Sequence, residues 1–502
     1  MKKIYIYIAA ALMSVGAITS CSEDFLNKEP QVVIVVENFY KTGNDAILAV
    51  NAAYTPLQWE FNKTYFNEWF YGDIVSDDAL KGGDGIYDMS NIFQLENFNG
   101  TASNESLLQF YRAQYQGIYR CNLAITNIPN IAPDDTMNLS IKNRLIAEAK
   151  TLRAYYYFRL IRIFNEVPKV TKIPTSSADY YPSRAPRDTI YKLIYSDLLE
   201  SIPNLWLKSE YPLADLGRIT KGSAQAILMK AYLYNNKWED AMAWGDSIIS
   251  SGEYDLNSIY ANNFNLEGEN GIESVFEIQY IEEPTSDYGQ GSGSSRGTFN
   301  IKLQRTRTGN QGWGFCHPTI NLINEYEAGD PRKDATISSP DGDVYLGNGY
   351  HNKKYALSGY VLAHDSRGPL NYKVIRYSDV LLMYAEAACE LNQLGPAKLQ
   401  LEYLRSTRRQ GNAGILPEFP YGSYTDDQTG LRAAIRHERR VELALEGQRF
   451  FDLVRWGIAE RVMNAYRDGE SELVKQYIQP FVAGKHEYFP IPESEINLNP
   501  NL

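Results

Sequence analysis

The sequence predicts a mainly α-helical protein: a helical-repeat scaffold (an α/α superhelix) carrying long irregular loop insertions and a few short strands. Three observations lead there. Apolar residues recur at helical spacing in one segment after another. Four of those segments form two consecutive pairs rich in small alanines. Two long tracts, residues 72–104 and 253–377, are rich in Gly, Asn, Asp or Ser and follow no helical period.

Taken in order, Asn44 is placed to cap a first helix whose apolar face is Ile47, Val50, Tyr54 and Leu57. Ser140 is placed to cap a long helix with Leu145, Ala149, Leu152, Tyr156 and Ile163 on one stripe, ending before Pro168. A short helix follows from Thr189 to Leu199. The first pair has Ala224, Ile227, Leu228 and Ala231 on one helix, and Trp238, Ala241, Met242, Gly245 and Ile248 on the next, with Gly252 as a C-cap. The string Ala231-Tyr232-x5-Trp238-x2-Ala241 resembles the centre of a tetratricopeptide repeat, where alanines let two helices approach closely. The second pair carries Leu381, Ala385, Ala388 and Cys389, a Gly395-Pro396 turn, then Ala397, Leu401 and Leu404. Between the pairs, Val275 to Ile278 is a short alternating run. The expected organisation is a signal segment (1–20), an N-terminal helical part (21–220) and a C-terminal part (221–502) with its insertion at 253–377, in one compact body. A helical scaffold with long irregular insertions carries its function in the insertions.

Composition narrows the function classes. The chain is 44% hydrophobic and 22% charged, which speaks against disorder. The net charge of −12, with no basic face, excludes nucleic acid as a partner. The 38 tyrosines outnumber phenylalanine and tryptophan together, and Tyr suits both helix packing and wet binding surfaces. Lys2 and Lys3 precede an apolar run from Ile4 to Ile18, shorter than the ~20 residues that span a bilayer. Thr19, Ser20 and Cys21 follow, so the segment reads as a secretory signal ending in a bacterial lipobox, with Cys21 as the lipid anchor. The alternative is a plain signal peptide cleaved nearby. Cys121, Cys316 and Cys389 remain, an odd set with no disulfide framework and no zinc spacing; no metal or cofactor is expected.

Motifs that suggest catalysis are weak. Gly293-Ser294-Ser295-Arg296-Gly297 matches a hydrolase elbow but lacks the strand and helix such an elbow needs. His486-Glu487 lacks a second histidine for zinc. Asp77-Asp78 are adjacent, whereas glycosidase carboxylates flank a bond at ~5–10 Å. The densest stretch runs from His437 to Gly457. There Glu446, Arg449, Asp452 and Arg455 recur every three residues with alternating sign, and on a helix they would form neighbouring ion pairs. They read as a structural clamp.

That stretch, His437-Glu-Arg-Arg-Val-Glu-Leu-Ala-Leu-Glu-Gly-Gln-Arg-Phe-Phe-Asp-Leu-Val-Arg-Trp-Gly457, resembles the C-terminal signature of the SusD/RagB family, with Gln448 where His is common. Further family-like blocks occur in order. They are Cys21 to Pro30, Gly72-Asp-Ile-Val-Ser-Asp-Asp-Ala79, Glu148 to Phe158, Asn165-Glu-Val-Pro168, Gly312 to Thr319, Arg376 to Leu382 and Pro490 to Ile496. The resemblance covers essentially the whole chain after residue 20. It implies a lipid-anchored protein at the surface of the outer membrane, with a tetratricopeptide-like scaffold. It implies a SusC-like TonB-dependent β-barrel transporter as partner, and an oligosaccharide that is bound and handed on without cleavage.

Sugar binding wants aromatic faces and planar polar side chains. Near residues 85–99 the first insertion offers Tyr87, Asn91, Phe93, Phe98 and Asn99; near 286–315 the second offers Tyr288, Arg305, Arg307 and Trp313. Rival readings are a surface glycoside hydrolase or esterase, a tetratricopeptide adaptor for protein, and a peptide-binding member of the same family.

Overall fold

The computed structural model describes residues 39–282, 296–308, 311–341, 346–363 and 367–502. Cys21, Tyr288 and most of the Gly293–Gly297 match lie outside the described residues. The fold is mostly helical. The principal helices are α1 (Gly43–Tyr54), α2 (Glu105–Asn127), α3 (Leu139–Phe164), α4 (Arg187–Ser201), α5 (Lys221–Tyr234), α6 (Trp238–Ser250), α7 (Tyr377–Glu390), α8 (Leu394–Arg408), α9 (Gln428–Glu442) and α10 (Arg449–Arg455). Neighbours in sequence pack as pairs, α2 on α3, α3 on α4, α5 on α6 and α7 on α8. Helix α6 then packs against α7. The two repeat pairs, separated in sequence by the 126 residues between Ser250 and Tyr377, are therefore stacked in space, and the second insertion lies between them in the chain.

Short strands manage the loops. Strands β1 (Phe61–Asn62) and β2 (Thr64–Tyr65) form a hairpin; β3 (Ala79–Gly82) pairs with β7 (Phe315–Pro318), β4 (Val167–Pro168) with β5 (Arg184–Ala185), and β6 (Ser274–Ile278) with β8 (Tyr372–Arg376), all antiparallel. The β6–β8 ribbon closes the neck of the second insertion. All five residues of β6 are buried, so its alternation does not mark a wet face. One continuous hydrophobic cluster runs from Ala53 to Ile491, and Cys121, Cys316 and Cys389 are free and buried.

Three helix ends differ from expectation. Thr42, not Asn44, caps α1 through a capping box with Asp45. Asn138, not Ser140, caps α3 by accepting from the Ile141 amide. Gly395 and Pro396 lie inside the first turn of α8, where a missing amide proton costs nothing; the turn itself is Leu391–Gln393.

The charged stretch at the C-terminus is not one helix. α9 stops at Glu442, and the chain crosses Leu445 (φ 61°) and Gly447 (φ 75°) in the left-handed region before α10 begins. The break lets Gly447 meet Gly72, where a Cβ would fall 2.1 Å from the Gly447 carbonyl oxygen, and lets the Gly447 amide donate to both carboxylate oxygens of Asp73 at 2.9 and 2.8 Å. The expected row of four residues is therefore corrected. Only Asp452 and Arg455 pair along a helix, at 2.7 Å. Glu446 instead meets Arg376 and Lys354 at 2.7 and 2.6 Å, and Arg449 reaches Asp77 at 2.8 Å. These pairs belong to a buried ion network. Glu442 faces Arg376, Arg408 and Arg332; Glu438 faces Arg332 and Arg405; Arg439 bridges Asp379 and Asp452; Arg440 holds Asp77 and Asp78. Burial opposes the charge of Glu442, yet Arg408, Arg376 and Arg332 hold its carboxyl well below the usual range. The network ties both insertions and the second repeat pair to the signature stretch.

Candidate functional site

Both insertions converge on the β3–β7 pair. Leu80 sits opposite His317 and Gly82 opposite Phe315, and the Gly83 amide donates to the Gly314 carbonyl at 2.6 Å. Gly82, Gly83 and Gly314 all have positive φ, and a Cβ on Gly82 would fall 2.3 Å from the Gly314 carbonyl oxygen. Only glycine lets the two loops meet this closely.

The first loop is fixed from inside. The Lys81 ammonium is buried and donates to the carbonyls of Gly82, Gly85 and Asp88 at 2.8, 3.0 and 2.7 Å. Burial lowers the Lys81 pKa against the pull of Glu96 and Asp88, and burial pushes Glu96 up to about 7. Asp88 accepts from the Asp84 amide at 2.9 Å. At the tip of this pinned loop stands Tyr87, 88% exposed.

The second loop leaves a short helix, Asn300–Gln304, whose entry is held by the buried Glu60 carboxylate, which accepts from the Phe299 amide at 2.6 Å and the Thr298 hydroxyl at 2.8 Å. The Trp313 amide donates to Lys302 and the Gly314 amide to Arg305, which closes the loop on itself. Arg307 joins the insertions: one amino group donates to the Trp313 carbonyl at 3.2 Å, and the other lies 3.4 Å from the exposed carboxylate of Asp84. Trp313 is half-buried, edge-on to Tyr65 at 5.9 Å, and Tyr65 in turn packs on Phe61 and Phe299.

The candidates from sequence thus separate. Arg307 contacts both Trp313 and Asp84, the latter on the loop that carries Tyr87, so these residues belong to one rim of joined loops. Asn91 and Phe93 lie on the helix Ser90–Glu96 beside it; Phe93 is half-buried between Lys81 and an edge-on Tyr477. Phe98 is corrected to a packing role, because its ring is stacked on His486 at 5.2 Å and meets Phe450 and Phe481. Arg305 is corrected to a tether. It is 9% exposed and donates to the carbonyls of Ala356, Leu357 and Tyr360 at 2.6, 2.7 and 2.8 Å. Its side chain is spent on backbone.

That tether exposes what sequence reasoning missed. Residues 356–363 form a third loop beside the rim, with Val361 87% exposed and Tyr360 donating to Glu282 at 2.9 Å. The signal was present as Ser358-Gly359-Tyr360, a turn glycine (φ 81°) next to an aromatic. The β1–β2 hairpin that carries Phe61 and Tyr65 was also missed, because it precedes the tract of unusual composition. Asp77 and Asp78 face Arg440 and Arg449 and are buried, so neither is presented to solvent.

A family model described as "SusD family" matches residues 340–502, and one described as "Starch-binding associating with outer membrane" matches residues 34–233. The SusD-like protein P38 of Formosa agariphila is 30% identical over 497 residues, covering 90% of this chain and 91% of that protein. The chain belongs to the SusD family. Among solved SusD-family structures, a laminarin-binding SusD-like protein is 28% identical, with a TM-score of 0.77 over 92% of this chain and 98% of that one. Surface glycan-binding protein A from Bacteroides thetaiotaomicron, in complex with laminarihexaose, is 25% identical, with a TM-score of 0.77 over 91% and 98% of the two chains. The SusD-family chain described here shares their fold along almost its whole length.

Proposed function

We propose that this protein is a lipid-anchored receptor of the outer-membrane surface that captures an oligosaccharide on the rim of Tyr87, Arg307 and Trp313 and passes it uncleaved to a SusC-like TonB-dependent transporter. The observation that carries the binding reading is Tyr87: an aromatic 88% exposed, on a loop that a buried lysine holds rigid. Holding an exposed ring in place lowers the ordering cost of a ligand that stacks on it. Asp84 and Arg307 put an acceptor and a donor for hydroxyls within the same rim. Family membership, and the similarity to a laminarin-binding protein and a surface glycan-binding protein, support the same ligand class. Against an enzyme, the paired aspartates of the first insertion are neutralised by arginines. The anchor is Cys21. Sugar–aromatic contacts are individually modest, so affinity falls in the range of about µM to mM, roughly −8 to −4 kcal/mol, which also suits release to a transporter.

A glycan array probed with residues 22–502 tests the ligand class: selective retention of one glycan family is expected, and no retention of any glycan sinks the reading. Cys21→Ser separately tests the anchor, since the variant should leave the membrane fraction or accumulate uncleaved. Unaltered fractionation and maturation would refute it.

A further inference from the structure

A concavity of about 620 Å³ lies between the middle of α2 and the last residues of the chain. That volume is within the roughly 300–1,000 Å³ of small-ligand sites. Its residues come from α2, from the segment that follows β4, and from the short helix Glu493–Leu498 with the chain beyond it. None of them belongs to the rim of Tyr87, Arg307 and Trp313. Tyr111 and Tyr115 form its floor, their rings 4.7 Å apart. On its rim, Tyr180 is 64% exposed and Tyr181 46% exposed.

Those two tyrosines are not on a loose loop. The Asn501 side-chain amide donates to the Tyr181 carbonyl at 2.6 Å, and the Asn499 amide donates to the Pro182 carbonyl at 2.8 Å. On the other side β4 and β5 close the segment's base. The backbone that carries the two exposed rings is thus tethered by a distant part of the chain, as the backbone of the Tyr87 loop is by Lys81. Beside them Arg112 and Glu495 form an exposed ion pair at 2.7 Å, a planar donor and a planar acceptor side by side. Aromatic faces flanked by such a pair match the two surfaces of a pyranose, its C–H face and its vicinal hydroxyls.

We infer that this cleft is a second carbohydrate-binding site, in which Tyr180 and Tyr181 stack on sugar rings and Arg112 with Glu495 hold their hydroxyls. The inference rests on the reading of the chain as a glycan binder. Two weak sites on one chain would hold a long polysaccharide far more tightly than either alone, because the second contact is made at high effective concentration.

The test is affinity electrophoresis of the full-length protein in detergent, through gels holding laminarin, starch, xylan, mannan or alginate. Tyr180→Ala/Tyr181→Ala should weaken retardation about tenfold in whichever gel slows the wild type, with an unchanged melting temperature. Tyr180→Ala alone, at the more exposed ring, should weaken it in the same gel and guards against a folding defect in the double variant. Tyr87→Ala/Trp313→Ala should leave residual retardation that disappears when Tyr180 and Tyr181 are removed as well. Equal retardation of wild type and both tyrosine variants overturns the second site and leaves the glycan-binding function standing. A wild type that no gel retards overturns both.

Discussion

Two parts of the molecule combine charge with aromatic rings, and they use them in opposite ways. In residues 437–457 each charged side chain from His437 to Arg455 has an opposite charge against it, and most of these pairs are buried. At the rim of the two insertions, Tyr87 and Asp84 stand in solvent, and Arg307 is only partly covered. The first region specifies how α9, α10, the second repeat pair and both insertions meet. The second presents surface. The densest motif in this sequence is therefore consumed in internal ion pairs, and the exposed ring and charges of the rim lie in segments with little pattern of their own.

The comparison breaks most severely if the ion network can be disturbed cheaply. Glu442→Gln leaves Arg376, Arg408 and Arg332 around a neutral amide in a buried site. Removing one member of a buried pair costs about 3–5 kcal/mol, so denaturant unfolding should reveal a loss of that size or a chain that does not fold. A loss of a few tenths would mean that the network contributes nothing to stability.

Arg449→Ala is the next step down. Arg449 binds both oxygens of Asp77, at 2.8 and 2.9 Å, but Arg440 also reaches Asp77 at 2.9 Å and keeps it compensated. The expected loss is about 1–3 kcal/mol, with glycan affinity unchanged once the protein is folded. Intact stability with lost binding would move Arg449 into the ligand site.

The edge of the network should also respond to pH. Burial works against the charged form of His437, but Glu325 at 2.7 Å and Glu327 at 3.4 Å outweigh it and raise the pKa to about 9. The folded value lies above the ordinary 6.5, so the stabilisation is complete below pH 6.5 and is lost as pH rises through about 9. His437→Gln should flatten that limb of the melting temperature against pH. Parallel curves for variant and wild type would show that His437 is not the group responsible.

Much of the scaffold was legible from sequence because it is local. The stripes at Ala224–Ala231 and Trp238–Ile248 needed only the 3.6-residue period, and Gly252 has the positive φ that a C-cap asks for (69°). What escaped was set by distant partners. The break at Leu445–Gly447 exists because Gly72 and Asp73, far away in sequence, need backbone there. Trp313 and Tyr87 were singled out because their tracts carry no packing period, and the structure leaves Tyr87 exposed and Trp313 half-buried. The same criterion admitted Phe98 and Arg305, which only the positions of His486 and the Ala356–Tyr360 loop assign to packing and tethering. Exposure, the property that separates a ligand-facing ring from a core ring, is not written in local pattern.

The smallest expected change in stability accompanies the most direct test of the central claim, that recognition resides at the rim and not in the ion network. Calorimetric titration of the array-selected glycan into Tyr87→Ala and Trp313→Ala should be run beside thermal melts of the same samples. Tyr87→Ala should melt like the wild type, and Trp313→Ala slightly lower, since its half-buried ring leaves Tyr65. Each should bind about tenfold more weakly, the worth of roughly 1.4 kcal/mol of stacking. Wild-type affinity in both variants, or a Tyr87→Ala protein that loses binding only because it unfolds, would contradict the account.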